Sequence, residues 1–78
     1  MSYCRFATDS SVYVWGSDVI HCSLCELNDG DDMIFTRYSN AIIHLHDHRA
    51  LGHKVPDRAF QQLEADQLKD GDIYKVPT

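Results

Sequence analysis

The sequence predicts a small α+β domain in which a β-hairpin or short antiparallel sheet precedes two short helices. Two observations favour this order: alternating β-forming residues are concentrated in the first half of the chain, and helical patterns with start and stop signals follow in the second half. The chain has 78 residues, which suffices for one domain with a thin core. We therefore expect residues 1–78 to form a single domain that gains stability from a metal ion, a disulfide or a second subunit.

The strand signals lie in the first half of the chain. The segment "SVYVWG" alternates β-formers, and a Gly-Ser-Asp turn separates it from "VIHCSLCEL", so residues 11–27 indicate a hairpin or two short strands. After the turn signal "NDGDD", the segment "MIFTRY" predicts a further short strand with Ile34, Thr36 and Tyr38 on one face.

The first helix is predicted to run from about Ala41 to Leu51. Ser39 or Asn40 provides a polar residue that caps its start, and Gly52 provides the stop signal at its end. The inward face of this helix is expected to carry the apolar residues Ala41, Leu45 and Leu51.

The second helix is predicted to start at Pro56, because the missing N–H of proline costs nothing in the first turn of a helix. The segment "KDGD" ends this helix, and "IYKVPT" is expected either to add a short extended tail or to be loose. The apolar stripe of the second helix consists of Val55, Ala59, Phe60, Leu63 and Leu68.

Histidines and cysteines are grouped in two short segments. "AIIHLHDHRALGH" contains His44 and His48, which lie on one face of a helix because they are four residues apart. "HCSLC" contains Cys22 and Cys25, so the whole pattern is C-x2-C-x18-H-x3-H. The type case has about twelve residues in the spacer, and here the surplus falls at the "NDGDD" turn. We predict a zinc-finger-like domain with a structural Zn2+ ion on Cys22, Cys25, His44 and His48.

Two exchanges within this ligand set stay open. His53, just after the helix, could replace one of the histidines, and Cys4 could replace one of the cysteines, although a packed thiol in a first strand is the simpler interpretation of Cys4. His21 and His46 are expected to be surface or core residues without a metal, and His46 points away from the inward face.

Two enzymatic interpretations are weaker. "HLHDH" resembles the H-x-H-x-D-H motif of metallo-β-lactamase-like hydrolases, but one residue is missing before the aspartate, and a helix would direct His44 and His46 apart. The C-x2-C pair also matches the thioredoxin-like dithiol motif, which requires a helix that this sequence does not predict after "HCSLC". No paired carboxylates or glycine-rich phosphate loop are present, so we expect a protein that is not an enzyme.

The charge balance limits the classes of partner. The chain has a net charge of −5, which disfavours non-specific binding to phosphate backbones. No apolar run is long enough for a membrane span, and the N-terminus lacks the features of a signal peptide. The three cysteines do not form a closed disulfide framework, so we expect a protein of the reducing cytoplasm without a membrane partner.

The histidine segment and the cysteine pair resemble those of a group of small proteins from actinobacteria and their phages, in which a C-x-x-C pair precedes H-L-x-x-H-R-x-x-G-H-x-V-P. The opening "MSYCRF" and "VYV" are similar to short actinophage proteins. The resemblance covers most of the chain and implies a shared metal-stabilised scaffold, located in the host cytoplasm if the protein is phage-encoded, but it supplies no activity. The matching residues are Cys22, Cys25, His44, Leu45, His48, Arg49, Gly52, His53, Val55 and Pro56.

Two functions follow from these observations. The first is a protein-interaction module that uses exposed aromatic residues such as Tyr13 or Trp15, or the second helix, although core packing is the simpler interpretation of Trp15. The alternative is zinc-finger-type binding of nucleic acid. Its phosphate contacts would come from Arg37, Arg49, Lys54 and Arg58. Completion of the small core by oligomerisation is compatible with both.

Overall fold

A four-stranded antiparallel sheet followed by two helices forms the domain, as the sequence predicts. The computed structural model describes residues 2–23 and 25–74. The strands follow one another in the sheet in chain order and are β1 (Ser2–Cys4), β2 (Tyr13–Gly16), β3 (Ile20–Ser23) and β4 (Met33–Phe35). The helices are α1 (Tyr38–Ala50) and α2 (Asp57–Asp70), and a short 3-10 helix, Glu26–Asn28, lies between β3 and β4.

The register of the central hairpin separates the two faces of the sheet. Val14 pairs with Cys22 and Trp15 pairs with His21, so alternate pairs point to opposite faces. The Val14–Cys22 face is buried, whereas Trp15 and His21 are only partly buried. Helix α2 packs against β1 and α1, and α1 also contacts β4. The register therefore directs Cys22 into the domain interior.

The strand predicted from "MIFTRY" is shorter than expected. It ends at Phe35, and Tyr38 is already the first residue of α1. Ile34 is 61% exposed and Tyr38 is 1% exposed, so the predicted common face of these two residues is wrong. The reason is a long-range contact: the Tyr38 N–H donates to the carbonyl of Asp72, and the Tyr38 ring packs edge-on against Tyr74.

The start of α1 is capped by a distant residue. Ser39 and Asn40, the predicted caps, both lie inside the helix. The Asp72 carboxylate instead accepts hydrogen bonds from the Ser39 N–H and from the Ser39 hydroxyl, each at 2.9 Å. An aspartate 33 residues away thus satisfies a backbone donor that N-cap side chains usually satisfy locally.

The end of α1 matches its prediction closely. Gly52 has a φ of 85°, its N–H donates to the Arg49 carbonyl, and the His53 N–H donates to the His48 carbonyl, which together form a Schellman motif. Leu51 is 62% exposed, so its predicted place beside the inward face is wrong. It lies past the last helical residue, where the chain already turns away at Gly52.

Helix α2 begins directly after Pro56 and ends before Gly71, within a residue of the prediction. Four of the five residues of its predicted stripe are buried; these are Val55, Ala59, Phe60 and Leu63. Leu68 is 89% exposed and does not belong to the stripe. At about 100° per residue, it lies roughly 140° around the helix from Leu63, five positions away.

The C-terminal segment contacts the sheet and both helices. Arg37 and Ile73 form an isolated antiparallel bridge, and the Tyr74 N–H donates to the Thr36 carbonyl at 2.8 Å. The Tyr74 hydroxyl lies so close to Gly16 that a Cβ at this position would clash with it. The predicted extended tail therefore begins as expected, and its residues 75–78 lie outside the described part of the chain.

Candidate metal centre

The sulfur atoms of Cys22 and Cys25 lie close together although the two residues belong to different elements. Cys22 lies in β3 on the buried face of the sheet, and Cys25 lies in the turn that follows. The Cys25 N–H donates to the Asp31 carbonyl, and the Cys25 carbonyl accepts from Asn28 and Gly30. This compact turn, which contains a 3-10 helix that the sequence did not predict, holds Cys25 in place.

The two histidines come from the face of α1 that packs inward. His44 and His48 are 7% and 1% exposed, and their Nε2 atoms lie 3.1 Å apart. The His44 ring also packs at 5.0 Å from the Phe35 ring, which limits its rotation. The four-residue spacing on one helix therefore produces the pair of imidazoles that it predicts.

The sulfur and nitrogen atoms of these four residues form one cluster. Cys25 Sγ lies 3.2 Å from His44 Nε2 and 3.5 Å from His48 Nε2, and Cys22 Sγ lies 3.7 Å from His48 Nε2. All four ligand atoms lie within 4.8 Å of one another. Among residues 2–23 and 25–74, this is the group of histidine, cysteine and acidic side chains that could hold a metal ion.

These separations fit a tetrahedral site. Zinc bonds of about 2.3 Å to sulfur and about 2.0 Å to nitrogen place a tetrahedral sulfur–nitrogen pair about 3.5 Å apart and two nitrogens about 3.3 Å apart. The observed sulfur–nitrogen distances of 3.2, 3.5 and 3.7 Å and the nitrogen–nitrogen distance of 3.1 Å lie close to both values. Because the 4.8 Å limit on the six separations exceeds the longest tetrahedral value, a sulfur–sulfur distance of about 3.8 Å, binding such an ion would draw the most distant donors together by up to about 1 Å.

Burial favours the uncharged forms of His44, His48 and Cys22 when no metal is bound. Desolvation lowers the pKa of His44. Desolvation also lowers the pKa of His48 to about 4, with smaller contributions from the neighbouring His44 and His53. Desolvation and the adjacent Cys25 raise the pKa of the Cys22 thiol. At neutral pH both imidazoles are thus in the uncharged form that binds metals, and a metal ion would have to displace the proton of the Cys22 thiol.

The alternative ligands lie elsewhere. His53 contacts the opposite side of the His48 ring, where the two Nδ1 atoms are 2.8 Å apart. The Cys4 thiol is buried in β1 and donates to the Val12 carbonyl, as expected of a packed thiol. Neither residue belongs to the cluster of four donor atoms.

The remaining histidines lie outside the centre. His46 is exposed and packs 4.5 Å from the Phe60 ring, whereas His44 is buried, so the two histidines of "HLHDH" do not share a site. His21 stacks on Trp15 at 4.0 Å with the rings nearly parallel. Neither His21 nor His46 belongs to the cluster of four donor atoms.

The four basic residues considered as phosphate contacts bind partners within the domain. The Arg49 guanidinium donates to the Val55 carbonyl and to Asp57, and its central carbon lies 4.4 Å from the centre of the Phe60 ring. Arg58 forms an ion pair with Asp9. Arg37 forms an ion pair with Asp72, and the Lys54 ammonium group donates to the Thr8 carbonyl.

Comparisons with known proteins identify no relative of this chain. No protein family, curated protein or solved structure matches the chain. Within the described residues, neither helix combines the length and the apolar character that crossing a membrane requires. Conclusions about function therefore rest on the structure, in which the chain forms a small α+β domain with a buried cluster of four side chains suited to a metal ion.

Proposed function

We propose that this protein is a zinc-stabilised interaction module and not an enzyme. The observation that carries the proposal is the convergence of two thiols and two imidazoles within 4.8 Å in the domain interior. Cys22, Cys25, His44 and His48 would hold the ion, which supplies cross-links between the sheet, the turn after it and α1. In a chain of 78 residues these links substitute for hydrophobic burial.

Zinc is the metal that the donor set favours. Tetrahedral sites with two sulfur and two nitrogen donors are typical of zinc, whereas magnesium and calcium prefer oxygen ligands. The expected reducing compartment also keeps the cysteines free of disulfide bonds and so available to a metal ion. The four side chains would fill all four positions of a tetrahedral ion, as in structural zinc sites.

Burial of the donors supports a structural role over a catalytic one. A catalytic zinc site keeps one position open for water or substrate. Cys22 and Cys25 are each 1% exposed, and His44, the most exposed of the four, reaches 7%. A substrate could reach an ion at this position only if the sheet separated from α1.

The uncovered face of the sheet favours a protein partner. Trp15, His21 and Ile34 pair across three adjacent strands on the face opposite the helices, and Ile34 is 61% exposed. Beside this row, the Phe6 ring packs edge-on against Tyr13 and is itself 49% exposed. Exposed aromatic and aliphatic side chains on one rigid surface are typical of protein interfaces.

Zinc-finger-type binding of nucleic acid has less support. Arg37, Arg49, Lys54 and Arg58 already contact acidic side chains or carbonyl oxygens of the same chain. The net charge of −5 adds long-range repulsion from phosphates. We therefore expect no shift of a random DNA duplex at low salt, and a shift that weakens steeply with added salt would favour the nucleic-acid alternative instead.

Metal analysis together with thermal unfolding tests the zinc site. We expect about one zinc ion per chain after purification without added chelator, and loss of the cooperative transition after a strong chelator removes it. Re-addition of zinc should restore the transition. A protein that contains no stoichiometric metal and unfolds identically with and without chelator would contradict the proposal.

A capture experiment with matched variants tests the interaction surface. The Ile34→Asp substitution places a charge on the exposed face without touching the buried cluster, so the variant should keep its zinc and its unfolding temperature but lose its partner. Leu68→Asp, at a position 89% exposed on α2, is the matched control and should retain the partner. The reverse pattern would place the interface on α2. The resemblance to actinobacterial and actinophage proteins suggests a bacterial cytoplasm as the source of this partner.

A further inference from the structure

We infer that His53 is the positioning residue of the metal centre, which orients His48 through a hydrogen bond to the ring nitrogen that faces away from the metal. The inference rests on the proposed function, because it assigns a role in a zinc site. His53 would not touch the ion. Its effect would pass through the His48 ring.

The two nitrogens of His48 face different partners. Nε2 faces the cluster, at 3.5 Å from Cys25 Sγ and 3.1 Å from His44 Nε2. Nδ1 lies 2.8 Å from His53 Nδ1 on the other side of the ring, a hydrogen-bonding distance. A neutral imidazole carries one N–H, so binding of a metal at Nε2 places the proton of His48 on Nδ1.

Metal binding therefore fixes the direction of this hydrogen bond. The Nδ1–H of His48 must donate, and His53 Nδ1 must accept, which places the proton of His53 on its own Nε2. The reverse direction would put the His48 proton on Nε2, in the position that the metal needs. The hydrogen bond between the two histidines is thus compatible with metal binding at Nε2 only when His48 is the donor and His53 the acceptor.

The loop after α1 holds His53 in place. The left-handed turn at Gly52 brings the chain back, so that the His53 N–H donates to the His48 carbonyl at 3.0 Å. The next residue is anchored as well, because the Lys54 carbonyl accepts from the Ser11 N–H at 2.7 Å. Arg49 then donates to the carbonyl of Val55. Contacts on both sides therefore hold the His53 backbone in place next to the end of α1, from where its ring reaches His48.

This arrangement matches a general feature of metal-binding histidines. A hydrogen-bond acceptor on the remote nitrogen fixes the ring orientation and increases the basicity of the ligating nitrogen, and its loss typically weakens metal binding by about 10–100-fold. His44 is positioned differently, by packing at 5.0 Å against the Phe35 ring. Loss of His53 should thus weaken the bond of one ligand and leave the other three in place.

Metal titration of three variants tests the inference. His53→Ala removes the acceptor, and we expect its zinc affinity, measured by competition with a chromophoric chelator, to fall by about 10–100-fold. His53→Asn keeps an acceptor oxygen near the position of Nδ1, so its affinity should return to within about threefold of the wild type. His46→Ala, which removes an exposed histidine from the same helix, should bind zinc like the wild type.

Two spectroscopic readouts separate positioning from a loss of fold stability. The cobalt-substituted wild-type protein should show the visible absorption of a tetrahedral site, and His53→Ala should shift these bands while His46→Ala leaves them unchanged. Nitrogen NMR of the zinc-bound wild type should report His48 protonated at Nδ1 and His53 protonated at Nε2.

The outcomes distinguish the inference from the proposed function. If the wild type binds zinc but His53→Ala has unchanged affinity and cobalt bands, or His53 carries its proton on Nδ1, the positioning role is overturned and the zinc site stands. If His53→Asn loses affinity as severely as His53→Ala, the hydrogen-bond argument is overturned as well. If the wild type binds neither zinc nor cobalt, both proposals fall.

Discussion

The two ends of α1 are stabilised in different ways. At its C-terminal end, the stabilising contacts join residues within a few positions of one another. Gly52 forms the turn, and His53 hydrogen-bonds to His48 through its backbone N–H and its ring. At its N-terminal end, Asp72 comes from 33 residues away to accept hydrogen bonds from Ser39. Helix ends need partners for their unpaired backbone groups, and this helix takes those partners from local sequence at one end and from tertiary structure at the other.

The difference also concerns what each end contributes. The two histidines of the cluster lie at the middle of α1 and in its last turn, so the position of this part of the helix decides whether four donor atoms meet. At the N-terminal end, Tyr38 packs against Tyr74 in the core, and no residue of this end belongs to the cluster. We therefore expect damage at the C-terminal half to abolish metal binding, and damage at the N-terminal end to lower stability while metal binding persists.

The largest effect is expected from loss of a ligand. Cys22→Ser should bind no stoichiometric zinc and should show no cooperative thermal transition by circular dichroism, because the free energy of structural zinc binding, about 10 kcal/mol or more, is then lost from folding. Cys4→Ala is the matched control, since it also removes a buried thiol but from outside the cluster. It should retain one zinc ion and unfold at a somewhat lower temperature. Equal zinc contents in the two variants would contradict the assignment of Cys22.

Acid should release the C-terminal half of α1 before it weakens the N-terminal end. The ordinary pKa of histidine is 6.5, and burial lowers that of His48 to about 4, so between these values the unfolded chain binds a proton that the folded chain does not. Stability must then fall as pH falls through this window, and bound zinc gives the same sign because it excludes protons from its ligands. Hydrogen bonds from Ser39 lower the pKa of Asp72 below its usual 3.8, so its contribution is present above pH 3.8 and lost only in stronger acid.

Urea unfolding with zinc analysis at several pH values checks this order. Zinc content and unfolding free energy should fall together between pH 6.5 and 4 in the wild type, and Asp72→Ala should show the same decline from a lower starting value. A free energy of unfolding that stays constant down to pH 4 would show that the two imidazoles are not buried ligands.

A smaller effect is expected where the C-terminal segment meets the sheet. The Gly16→Ala substitution places a methyl group where the Tyr74 hydroxyl lies, and overpacking of this kind costs about 1–3 kcal/mol. Zinc content should not change, because the contact lies at the N-terminal end of α1. Chemical denaturation measures the loss.

Tyr74→Phe serves as the control for this contact. The Tyr74 hydroxyl is buried without a hydrogen-bond partner among the described residues, so its removal should be close to neutral and should relieve part of the Gly16→Ala cost in the double variant. A double variant no more stable than Gly16→Ala alone would show that the hydroxyl is not the clashing group.

The smallest effect is expected from the distant cap. Asp72→Ala should lower stability by less than Gly16→Ala does, as measured by chemical denaturation, because the Ser39 N–H then loses its acceptor. Asn40→Ala, which removes one of the caps predicted from sequence, should be neutral or slightly stabilising, since Asn40 lies inside α1 and alanine is the better helix former. The opposite ranking of these variants would return the capping role to the local residue.

Local signals predicted the ligand cluster and much of the fold. The four-residue spacing of His44 and His48 determines a common helix face, and the C-x2-C pair needs only a turn. The glycine after α1 and the proline before α2 were sufficient to locate those boundaries. Whether these side chains bind zinc stays a prediction for the experiments above.

Contacts between distant residues account for the errors. Tyr38 was assigned to a strand because its neighbours are β-formers, but its backbone pairs with Asp72 and begins a helix. Leu68 and Leu51 were placed inward from hydrophobicity, and both are exposed, since apolar residues also occupy solvated positions. The sequence left His53 open as an alternative ligand. In the structure it lies next to the His48 Nδ1 atom, outside the cluster, because the turn at Gly52 brings the chain back to that side of the ring.

The sequence by itself determined the composition of the cluster, the order of sheet and helices, and the end of α1, because each depends on spacings of a few residues and on the backbone preferences of glycine and proline. Only the tertiary structure decided which residue caps the start of α1, which nitrogen of His48 faces the cluster, and which basic residues are already paired. These features depend on side chains that approach from residues far apart in the chain, and no local spacing encodes such an approach.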